Sequence, residues 1–358
     1  MKKVIALLLC SLFVVGVISA CSSENASENI NIGDDVDIKV MLVDGAPLLS
    51  MTNMMSEEFA VKNGYDISYT ITNDSNALAA ALLKGEPDFA IAPINVAAMM
   101  HNNESGYRLA AVTTWGIMHI VSDQEVTSLE DLKGETIVAF GRSGTPGITL
   151  RTVLKQNNID FVEPESADFT PDPDKVSIIY LTAASDVRDA IATGMEVGGK
   201  TVSYGLLAEP VATAITGLAS NAGRPGFTAK INLQTEWAKN NNDEIYPQAA
   251  LIFHERLLTD HAEFVNKFIA LAELSSLYAN ANPIATGDLA VSLGSTSIPN
   301  GTIVGNAYKA GRLPINFTYA TDAKSAVNGY LQALLEESAD LIGGKMPMDS
   351  FYYEKGQE

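Results

Sequence analysis

The stretch that decides the fold of this chain is DFAIAPIN, residues 88–95. Its apolar run Phe89–Ala92 predicts a short buried strand, and Pro93-Ile94-Asn95 leads from that strand into a helical stretch, Val96–Met100. A strand that continues through a short turn into a helix is the repeating unit of an α/β fold. The flanking sequence repeats this unit in both directions.

On the N-terminal side, two more predicted strands are each followed by a helix signal. Ile38–Val43 reads as a strand, and Asp44-Gly45-Ala46-Pro47 then opens a helix to about Lys62, since proline fits the first turn of a helix. Asp66–Ile71 alternates as a strand, and Asn73-Asp74-Ser75 supplies the N-cap of the next helix. These units predict the first of two α/β domains.

A second group of strands and helices follows. Thr136–Phe140 predicts a strand, and the loop Gly141–Gly147 leads from it into the helix Ile148–Asn157. Further strands are predicted at Leu109–Thr114, Ile117–Val121, Val176–Leu181, Tyr204–Leu207, Thr228–Leu233 and Ala249–His254, and further helices at Ala184–Thr193, Thr259–Ala279 and Ala323–Ala339. We expect the long C-terminal helices to pack back on the first domain.

Composition favours a large body of two domains. The chain has 358 residues, of which 47% are hydrophobic and 18% charged, and no run of 18 apolar residues follows the N-terminal segment. About 320 residues beyond that segment correspond to two domains at a prior of roughly 150 residues each. The formal charge of −20 argues against nucleic-acid binding, which requires basic surfaces.

The N-terminus has the composition of an export signal. Two lysines precede the apolar run Val4–Val17, which as a helix spans about 21 Å and is too short for a bilayer core of about 30 Å. Ile18-Ser19-Ala20-Cys21 resembles a bacterial lipobox, which implies that residues 1–20 are removed and that Cys21 carries a lipid. The polar, acidic residues 21–37 then predict a flexible tether. An ordinary signal peptide is the alternative.

The cysteine and histidine patterns of common enzyme and metal sites are absent from the sequence. The two cysteines are Cys10, within the signal, and Cys21, so the body has no thiol for a disulfide, a metal site or a nucleophile. The four histidines form no HExxH pair; they are His101, His119, His254 and His261. We therefore expect a binding protein without a metal, a cofactor or catalytic residues.

The loop Gly141–Gly147 is the sharpest candidate binding element. Its sequence, GRSGTPG, places backbone N–H groups and the hydroxyls of Ser143 and Thr145 at a helix start, where the helix dipole favours an anion. Such a loop suits a carboxylate, sulfonate or phosphate. It is neither a Walker A loop nor a dinucleotide fingerprint. A glycine-rich turn without a ligand is the alternative.

Other predicted strand ends carry further candidates. Asp44–Pro47, Asn73–Ser75 and Pro93–Asn95 would converge on one crevice, because strands of an open α/β sheet end at a common edge. Helix capping is the alternative for the first two. Trp115, directly after a strand, either stacks on a planar ligand or is buried between domains. Glu209, in an apolar context, pairs either with a ligand amine or with a backbone N–H.

Three motifs, in this order, resemble those of ABC-importer substrate-binding proteins. They are Asp88-Phe89-Ala90-Ile91-Ala92-Pro93-Ile94-Asn95, which is similar to the DF-apolar-x-P stretch of those proteins, Ser128-Leu129-x-Asp131-Leu132-Lys133-Gly134, and Ala208-Glu209-Pro210. The set resembles the nitrate/sulfonate/taurine branch, which also includes binders of the thiamin pyrimidine precursor. The resemblance runs from about Ile38 to at least Phe268. Residues 142–147 are only generically similar, and Ala285–Asn316 match no motif that names a ligand.

The resemblance implies a type II periplasmic-binding-protein fold, in which two α/β lobes flank a central ligand cleft and are joined by two crossovers. Lobe 1 would comprise residues 38–116 and 250–358, and lobe 2 residues 117–249. The ligand-binding residues carried over by position are Asp44, Gly45, Ala46, Pro47, Pro93, Asn95, Trp115, Ser143, Gly144, Thr145 and Glu209.

The implied function is that of a solute-binding lipoprotein in the bacterial cell envelope, outside the cytoplasmic membrane. It would capture a sulfonate, another small organic anion or zwitterion, or a polar heterocycle, and deliver it to the permease and ATPase of an ABC importer. Two alternatives stay open. One is a fold-related pyrimidine-precursor synthase. Such an enzyme relies on a histidine and on a cysteine-rich motif, and this body has no spare cysteine for that motif. The other is a lipid-anchored sensor or adhesion module.

Replacing Cys21 tests the anchor. We expect Cys21→Ala to leave the protein unprocessed or released from membranes, because the substitution removes the thiol that would carry the lipid. Cell fractionation and the mass of the mature N-terminus measure both effects. Cys10→Ala is the control and should remain membrane-bound. Recovery of a correctly processed, membrane-bound Cys21→Ala protein would contradict the anchor.

Overall fold

The computed structural model describes residues 36–56, 64–242 and 244–354. The strands in these ranges are β1 Val36–Val43, β2 Tyr65–Thr72, β3 Phe89–Pro93, β4 Tyr107–Trp115, β5 Met118–Ser122, β6 Thr136–Phe140, β7 Phe161–Val162, β8 Val176–Leu181, β9 Glu196–Val197, β10 Lys200–Thr201, β11 Tyr204–Ala208, β12 Thr228–Asn232, β13 Pro247–His254 and β14 Thr318–Tyr319. The α-helices are α1 Ala46–Leu49, α2 Thr52–Met55, α3 Ser75–Leu83, α4 Ile94–Asn102, α5 Thr145–Gln156, α6 Ala184–Thr193, α7 Val211–Asn221, α8 Leu233–Ala238, α9 Leu257–Ala281, α10 Pro283–Ser292, α11 Gly301–Lys309 and α12 Ala320–Glu337.

The first sheet has the strand order β14-β4-β13-β3-β1-β2. β1 pairs in parallel with β2 and β3, and β13 runs antiparallel between β3 and β4. β1, β3 and β4 therefore run in one direction and end at one edge of the sheet. Phe89–Ala92, predicted as a buried strand, is fully buried within β3.

The second sheet has the strand order β12-β5-β11-β6-β8-β7. β11, β6, β8 and β7 are parallel neighbours in that order, whereas β5 runs antiparallel to both β11 and β12. β6, β8 and β11 consequently end at one edge, where β5 begins. With strands and helices alternating around both sheets, the predicted α/β class and the two-lobed type II fold are confirmed.

The chain crosses between the sheets twice, once from β4 to β5 and once from β12 through α8 to β13. The two crossing segments touch at Gly116, whose N–H donates to the carbonyl of Tyr246 at 3.1 Å. A Cβ atom at Gly116 would lie 2.4 Å from Cζ of Tyr246, so the close approach requires glycine. Tyr246 N–H in turn donates to Oε1 of Gln234 at 3.0 Å, which ties α8 to the return crossover.

The long C-terminal helices pack in different ways. α9 lies on the first sheet, where the ring of Phe268 stacks on Phe89 with centroids 3.8 Å apart. α12 contacts the first sheet and also reaches α5, because the hydroxyl of Tyr330 lies 2.7 Å from Oγ1 of Thr149. Tyr330 also stacks on Tyr246 of the return crossover, with centroids 5.5 Å apart. α12 therefore bridges elements of both lobes.

The helix predicted from Pro47 to about Lys62 is wrong in its described part, which contains the short helices α1 and α2 instead. Oγ of Ser50 donates to the carbonyl of Pro47 at 2.7 Å, and Oγ1 of Thr52 donates to the carbonyl of Leu49 at 3.2 Å. Hydroxyls that bond nearby carbonyls compete with the hydrogen bonds of a continuous helix. The chain therefore turns between α1 and α2.

The predicted signal 1–20 and Cys21 lie outside the described residues, as does the predicted tether 21–37 except for its last two residues. Those two residues, Val36 and Asp37, belong to β1 and pair with Tyr65 and Asp66 of β2. In the ranges that the structure describes, no helix is both long enough and apolar enough to cross a membrane.

The contact between α10 and α11 yields a stability prediction. A Cβ atom at Gly287 of α10 would lie 2.7 Å from Cα of Gly301, so we expect Gly287→Ala to lower the free energy of unfolding by about 1–3 kcal/mol, as overpacking does. Gly217→Ala is the control, because nothing lies within 4 Å of its Cβ position within α7, and it should raise that free energy by about 0.5–1 kcal/mol. Urea unfolding measures both; equal effects would contradict the packing argument.

Candidate functional site

The strand ends of the two sheets carry all the predicted binding loops. Asp44–Pro47 follow β1, Pro93–Asn95 close β3 and open α4, and Trp115 ends β4, so these three lie at one edge of the first sheet. Ser143–Thr145 follow β6 and Glu209 follows β11, at one edge of the second sheet. In open α/β folds, ligands bind outside such carboxyl ends of strands.

One hydrogen bond joins predicted residues from the two sheets directly. Oγ1 of Thr145, the first residue of α5, donates to Oδ1 of Asn95 at 3.0 Å. Both side chains are buried, with Thr145 2% and Asn95 5% exposed, and Nδ2 of Asn95 lies 3.4 Å from the carbonyl of Leu341. The loop that follows β3 and the loop that follows β6 therefore face each other.

The loop Gly141–Gly147 uses part of its donor set to hold its own turn. The N–H groups of Gly144 and Gly147 both donate to the carbonyl of Gly141, at 2.9 and 3.1 Å. Gly141 has a φ of +65°, a conformation that favours glycine. Ser143 is exposed, so its hydroxyl remains accessible at the helix start. The predicted order of strand, loop and helix is present, but α5 begins at Thr145 and not at the predicted Ile148, so the loop is shorter and has fewer free N–H groups than the sequence suggests.

The carboxylate of Asp44 accepts five hydrogen bonds from the chain itself. Oδ1 accepts from Gly45 N (2.6 Å) and Ser295 Oγ (2.5 Å), and Oδ2 accepts from Thr296 N (2.8 Å), Thr296 Oγ1 (3.1 Å) and Ser297 N (3.0 Å). Burial by itself would raise the pKa of Asp44, but these bonds to the ionised form outweigh it and lower the pKa below its ordinary value. Asp44 thereby fixes the loop after β1 to the segment after α10.

Trp115 is buried, with 5% of its surface exposed, and both of its N–H groups are bonded to one segment. Its backbone N–H donates to the carbonyl of Pro314 at 3.1 Å, and the indole Nε1 donates to the carbonyl of Asn316 at 2.9 Å. Gly116 and the first crossover follow directly. Trp115 therefore links the start of that crossover to the segment between α11 and β14.

Glu209 has a fully buried side chain whose two oxygens are both bonded. Nε of Arg312 donates to Oε1 at 2.6 Å, and the N–H of Thr213, in the first turn of α7, donates to Oε2 at 3.0 Å. Nη2 of Arg312 also donates to Oγ1 of Thr213 at 2.7 Å. The buried carboxylate is thus paired and hydrogen-bonded, as its burial requires.

His119 on β5 lies near this ion pair and was not singled out from the sequence. Its Nδ1 lies 3.1 Å from the carbonyl of Ile117, which can only accept, so Nδ1 carries the proton. Burial lowers the pKa of His119; the Glu209 carboxylate acts to raise it and the Arg312 guanidinium to lower it further. The lowered pKa of His119 therefore favours its neutral form beside the charged pair.

The partners of three predicted residues come from one part of the chain, residues 295–316. Ser295–Ser297 bond Asp44, Pro314 and Asn316 bond Trp115, and Arg312 bonds Glu209. These residues lie within the block that matched no motif, and nothing local in the sequence marks them. They are the functional candidates that sequence reasoning missed.

A match to a family model identifies the family of the chain. A family model described as NMT1/THI5-like matches residues 56–286, more than half of the chain. The chain belongs to the NMT1/THI5-like family. The family resemblance inferred from the three motifs is confirmed. No curated protein matches the sequence.

Solved structures share the fold. A protein described as an ABC transporter from Parabacteroides distasonis is 20% identical, with a TM-score of 0.68, and the match covers 90% of this chain and 100% of that one. The periplasmic aliphatic sulphonate-binding protein SsuA from Escherichia coli is 13% identical, with a TM-score of 0.64 and coverage of 90% and 93%. The alkanesulfonate-binding protein SsuA from Xanthomonas axonopodis pv. citri, bound to MOPS, is 13% identical, with a TM-score of 0.58 and coverage of 88% and 97%.

The described ranges of this member of the NMT1/THI5-like family include the acidic candidates Asp44 and Glu209. There, no group of three or more histidine, cysteine, aspartate or glutamate side chains is arranged to hold a metal ion. The acidic candidates Asp44 and Glu209 are instead bonded to donors of the chain itself.

The hydrogen bonds of Asp44 yield a pH prediction. Because its folded pKa lies below the ordinary value of 3.8, its stabilisation is present above that value and is lost as the pH falls through the lowered pKa. We expect Asp44→Asn to reduce the free energy of unfolding at pH 7 by about 1–3 kcal/mol, the range for hydrogen bonds to a charged group, and to flatten its fall at acid pH. Denaturant unfolding between pH 2.5 and 7 measures this.

The exposed Asp66 of β2 provides the matched control for Asp44. Asp66→Asn should leave both the stability at pH 7 and its pH dependence nearly unchanged. An Asp44→Asn protein with the pH profile of the parent would show that the five bonds contribute no net stability.

Proposed function

We propose that the chain is an extracytoplasmic solute-binding lipoprotein that captures a small polar solute between its two lobes and delivers it to an ABC importer. The observation that carries the proposal is the direct contact of loops from the two sheets, in which Thr145 donates to Asn95 at 3.0 Å. Membership of the NMT1/THI5-like family and the shared fold of proteins described as ABC-transporter and sulfonate-binding proteins support it.

The proposed mechanism is closure of the lobes over the solute. Each lobe presents its strand ends to the other, so a solute between them contacts both, and its binding favours the closed arrangement. The lobes proposed from the sequence are residues 38–116 with 250–358, and residues 117–249; since β13 of the first sheet begins at Pro247, we assign residues 247–249 to the first lobe. The residues proposed to contact the solute or to shape the loops that do so are Asp44, Gly45, Ala46, Pro47, Pro93, Asn95, Trp115, Ser143, Gly144, Thr145 and Glu209.

The proposed solute is a sulfonate, another small organic anion or zwitterion, or a polar heterocycle. Two of the structural neighbours are described as sulfonate-binding proteins. The start of α5 offers a hydroxyl and a helix N-terminus, which suit a polar acceptor group. Because the oxygens of Asp44 and Glu209 already accept hydrogen bonds from the chain, we assign these two residues to shaping their loops, so that solute contacts fall to neighbouring atoms.

The proposed location is the bacterial cell envelope, outside the cytoplasmic membrane, with the lipid on Cys21. The support for this is the sequence of residues 1–21, since these lie outside the described residues. The proposed partners are the solute, the permease and ATPase of the importer, and the membrane through the lipid. A net charge of −20 gives no basis for a nucleic-acid partner.

A thermal-shift screen tests this function, with sulfonates, nitrate, bicarbonate, amino acids and thiamin precursors as probes. A ligand at a hundredfold excess over its Kd adds about 2.7 kcal/mol to the stability of the native state, so we expect at least one organic probe to raise the Tm. Small-angle scattering with that probe should show a smaller radius of gyration. A Tm unchanged by every probe, with no change in scattering, would contradict solute capture by closure.

Thr145→Val tests the interlobe contact within that screen. The change keeps the shape of the side chain and removes its hydrogen bond to Asn95, so the affinity for the hit should fall by about 0.5–1.5 kcal/mol. Thr193→Val, at an exposed position at the end of α6, is the control and should leave the affinity unchanged. Equal affinities of both variants would remove Thr145 from the proposed site.

A further inference from the structure

The salt bridge between Glu209 and Arg312 joins the two lobes. Glu209 follows β11 of the second sheet, whereas Arg312 lies between α11 and β14, the edge strand of the first sheet. Nε of Arg312 lies 2.6 Å from Oε1 of Glu209, and the Glu209 side chain is fully buried, with the Arg312 side chain 29% exposed. Nη2 of Arg312 adds a bond to Oγ1 of Thr213. One side chain of the first lobe therefore bonds two groups of the second lobe.

The segment that carries Arg312, residues 310–316, is fixed to the first lobe; we call it the strap. Nδ2 of Asn280, in α9, donates to the carbonyl of Ile315 at 2.6 Å. The backbone N–H and the indole of Trp115 donate to the carbonyls of Pro314 and Asn316. Trp115 immediately precedes the first crossover. The strap therefore connects the start of that crossover to Glu209 and to the first turn of α7 in the second lobe.

We propose that Arg312 is a positioning residue that holds the lobes closed through Glu209, so that the strap sets the proportion of closed molecules. The loss of Arg312 has different energetic costs in the closed and the open arrangement. With the lobes together, Glu209 is buried and needs its cationic partner. When the lobes separate, water solvates both charged groups. Removing Arg312 therefore penalises the closed arrangement and leaves the open one almost untouched.

Other bonds between the lobes limit the size of the shift. Thr145 donates to Asn95, and Tyr330 of α12 bonds Thr149 of α5. Nε of Arg151 in α5 donates to Oε1 of Glu337 in α12 at 3.0 Å. These contacts remain when Arg312 is removed, so we expect a redistribution between closed and open molecules in place of complete opening.

An ion pair within the first lobe provides the matched control. Nη2 of Arg256 lies 2.7 Å from Oδ1 of Asp88, whose side chain is only 10% exposed. Asp88 directly precedes β3 and Arg256 directly precedes α9, so both partners stay together whatever the second lobe does. Loss of Arg256 should lower the stability of the fold without changing the distance between the lobes.

The experiment measures an interlobe distance by pulsed electron paramagnetic resonance. The full chain carries Cys10→Ser and Cys21→Ser, so that spin labels attach only at Ser220→Cys in α7 and Ser292→Cys in α10, both exposed positions. In this background we expect Arg312→Met to shift the main distance population to longer values. Arg256→Met should keep the parent distribution and lower the midpoint of urea unfolding.

A rescue separates an electrostatic closing role from simple loss of packing. In Glu209→Gln with Arg312→Met, no unpaired carboxylate is buried, so the distribution should return toward the short distance. Arg312→Lys should lie between the parent and Arg312→Met. A parent distribution in Arg312→Met, the same shift in Arg256→Met, no return in the double variant, or an unfolded Arg312→Met protein would each overturn the proposal.

The proposal rests on lobe closure as the motion of the proposed function, and it is tested separately from solute capture. The distances are measured in the protein alone, so a negative solute screen leaves their interpretation unchanged. Conversely, a confirmed solute with an unaltered Arg312→Met distribution would leave the transport function standing and remove the strap from it.

Discussion

The insertion of β13 between β3 and β4 is the constraint on which the rest of the structure depends. Ala250 of β13 pairs with Ala92 on one side and Val112 on the other. The whole second sheet lies between β4 and β13 in the sequence, so this pairing makes the chain leave the first sheet and return to it next to its point of departure. The two crossings must then run side by side, and they meet at Gly116 and Tyr246. This arrangement makes the carboxyl ends of the strands in one sheet face those in the other.

The α10–α11 region and the segment after it serve the polar groups at those strand ends. Buried carboxylates and N–H groups require hydrogen-bond partners, and an unmade bond costs about 1–3 kcal/mol. Ser295 and its two successors supply partners for Asp44, and Arg312 supplies one for Glu209. A block of sequence without a recognisable motif therefore organises loops that contact both sheets. The block contributes to the structure through these hydrogen bonds to Asp44 and Glu209.

The sequence predicted local structure well where the signal is local. The bounds of β6, β8 and α6 agree with the predicted strands and helix, because apolar periodicity and turn residues determine such elements. The helix predicted through Lys62 is wrong in its described part, because the hydroxyls of Ser50 and Thr52 bond nearby carbonyls, an outcome that periodicity does not encode.

The candidate binding residues show a different limit of prediction from the sequence. The α/β alternation was sufficient to predict that the loops after β1 and β3 end at one edge, whereas the loops after β6 and β11 were added to the site only by the family resemblance. Which atoms of those loops are already bonded was not predictable. Arg312 is 103 residues from Glu209, and the donors to Asp44 lie about 250 residues away from it. Contacts at such separations depend on packing of whole elements, so a single sequence contains no local sign of them.

The local charges also bear on which solute suits the cleft. The chain carries a net charge of −20, but ionic screening over about 8 Å at physiological salt leaves nearby groups in control of a small solute. Near the interlobe pair, the cation of Arg312 is balanced by Glu209, and burial lowers the pKa of His119, which favours its neutral form. A bare anion would therefore find no uncompensated positive charge there, although the start of α5 still offers donors. On this balance we propose a solute with both donor and acceptor groups, such as a zwitterion or a polar heterocycle, in preference to an inorganic anion.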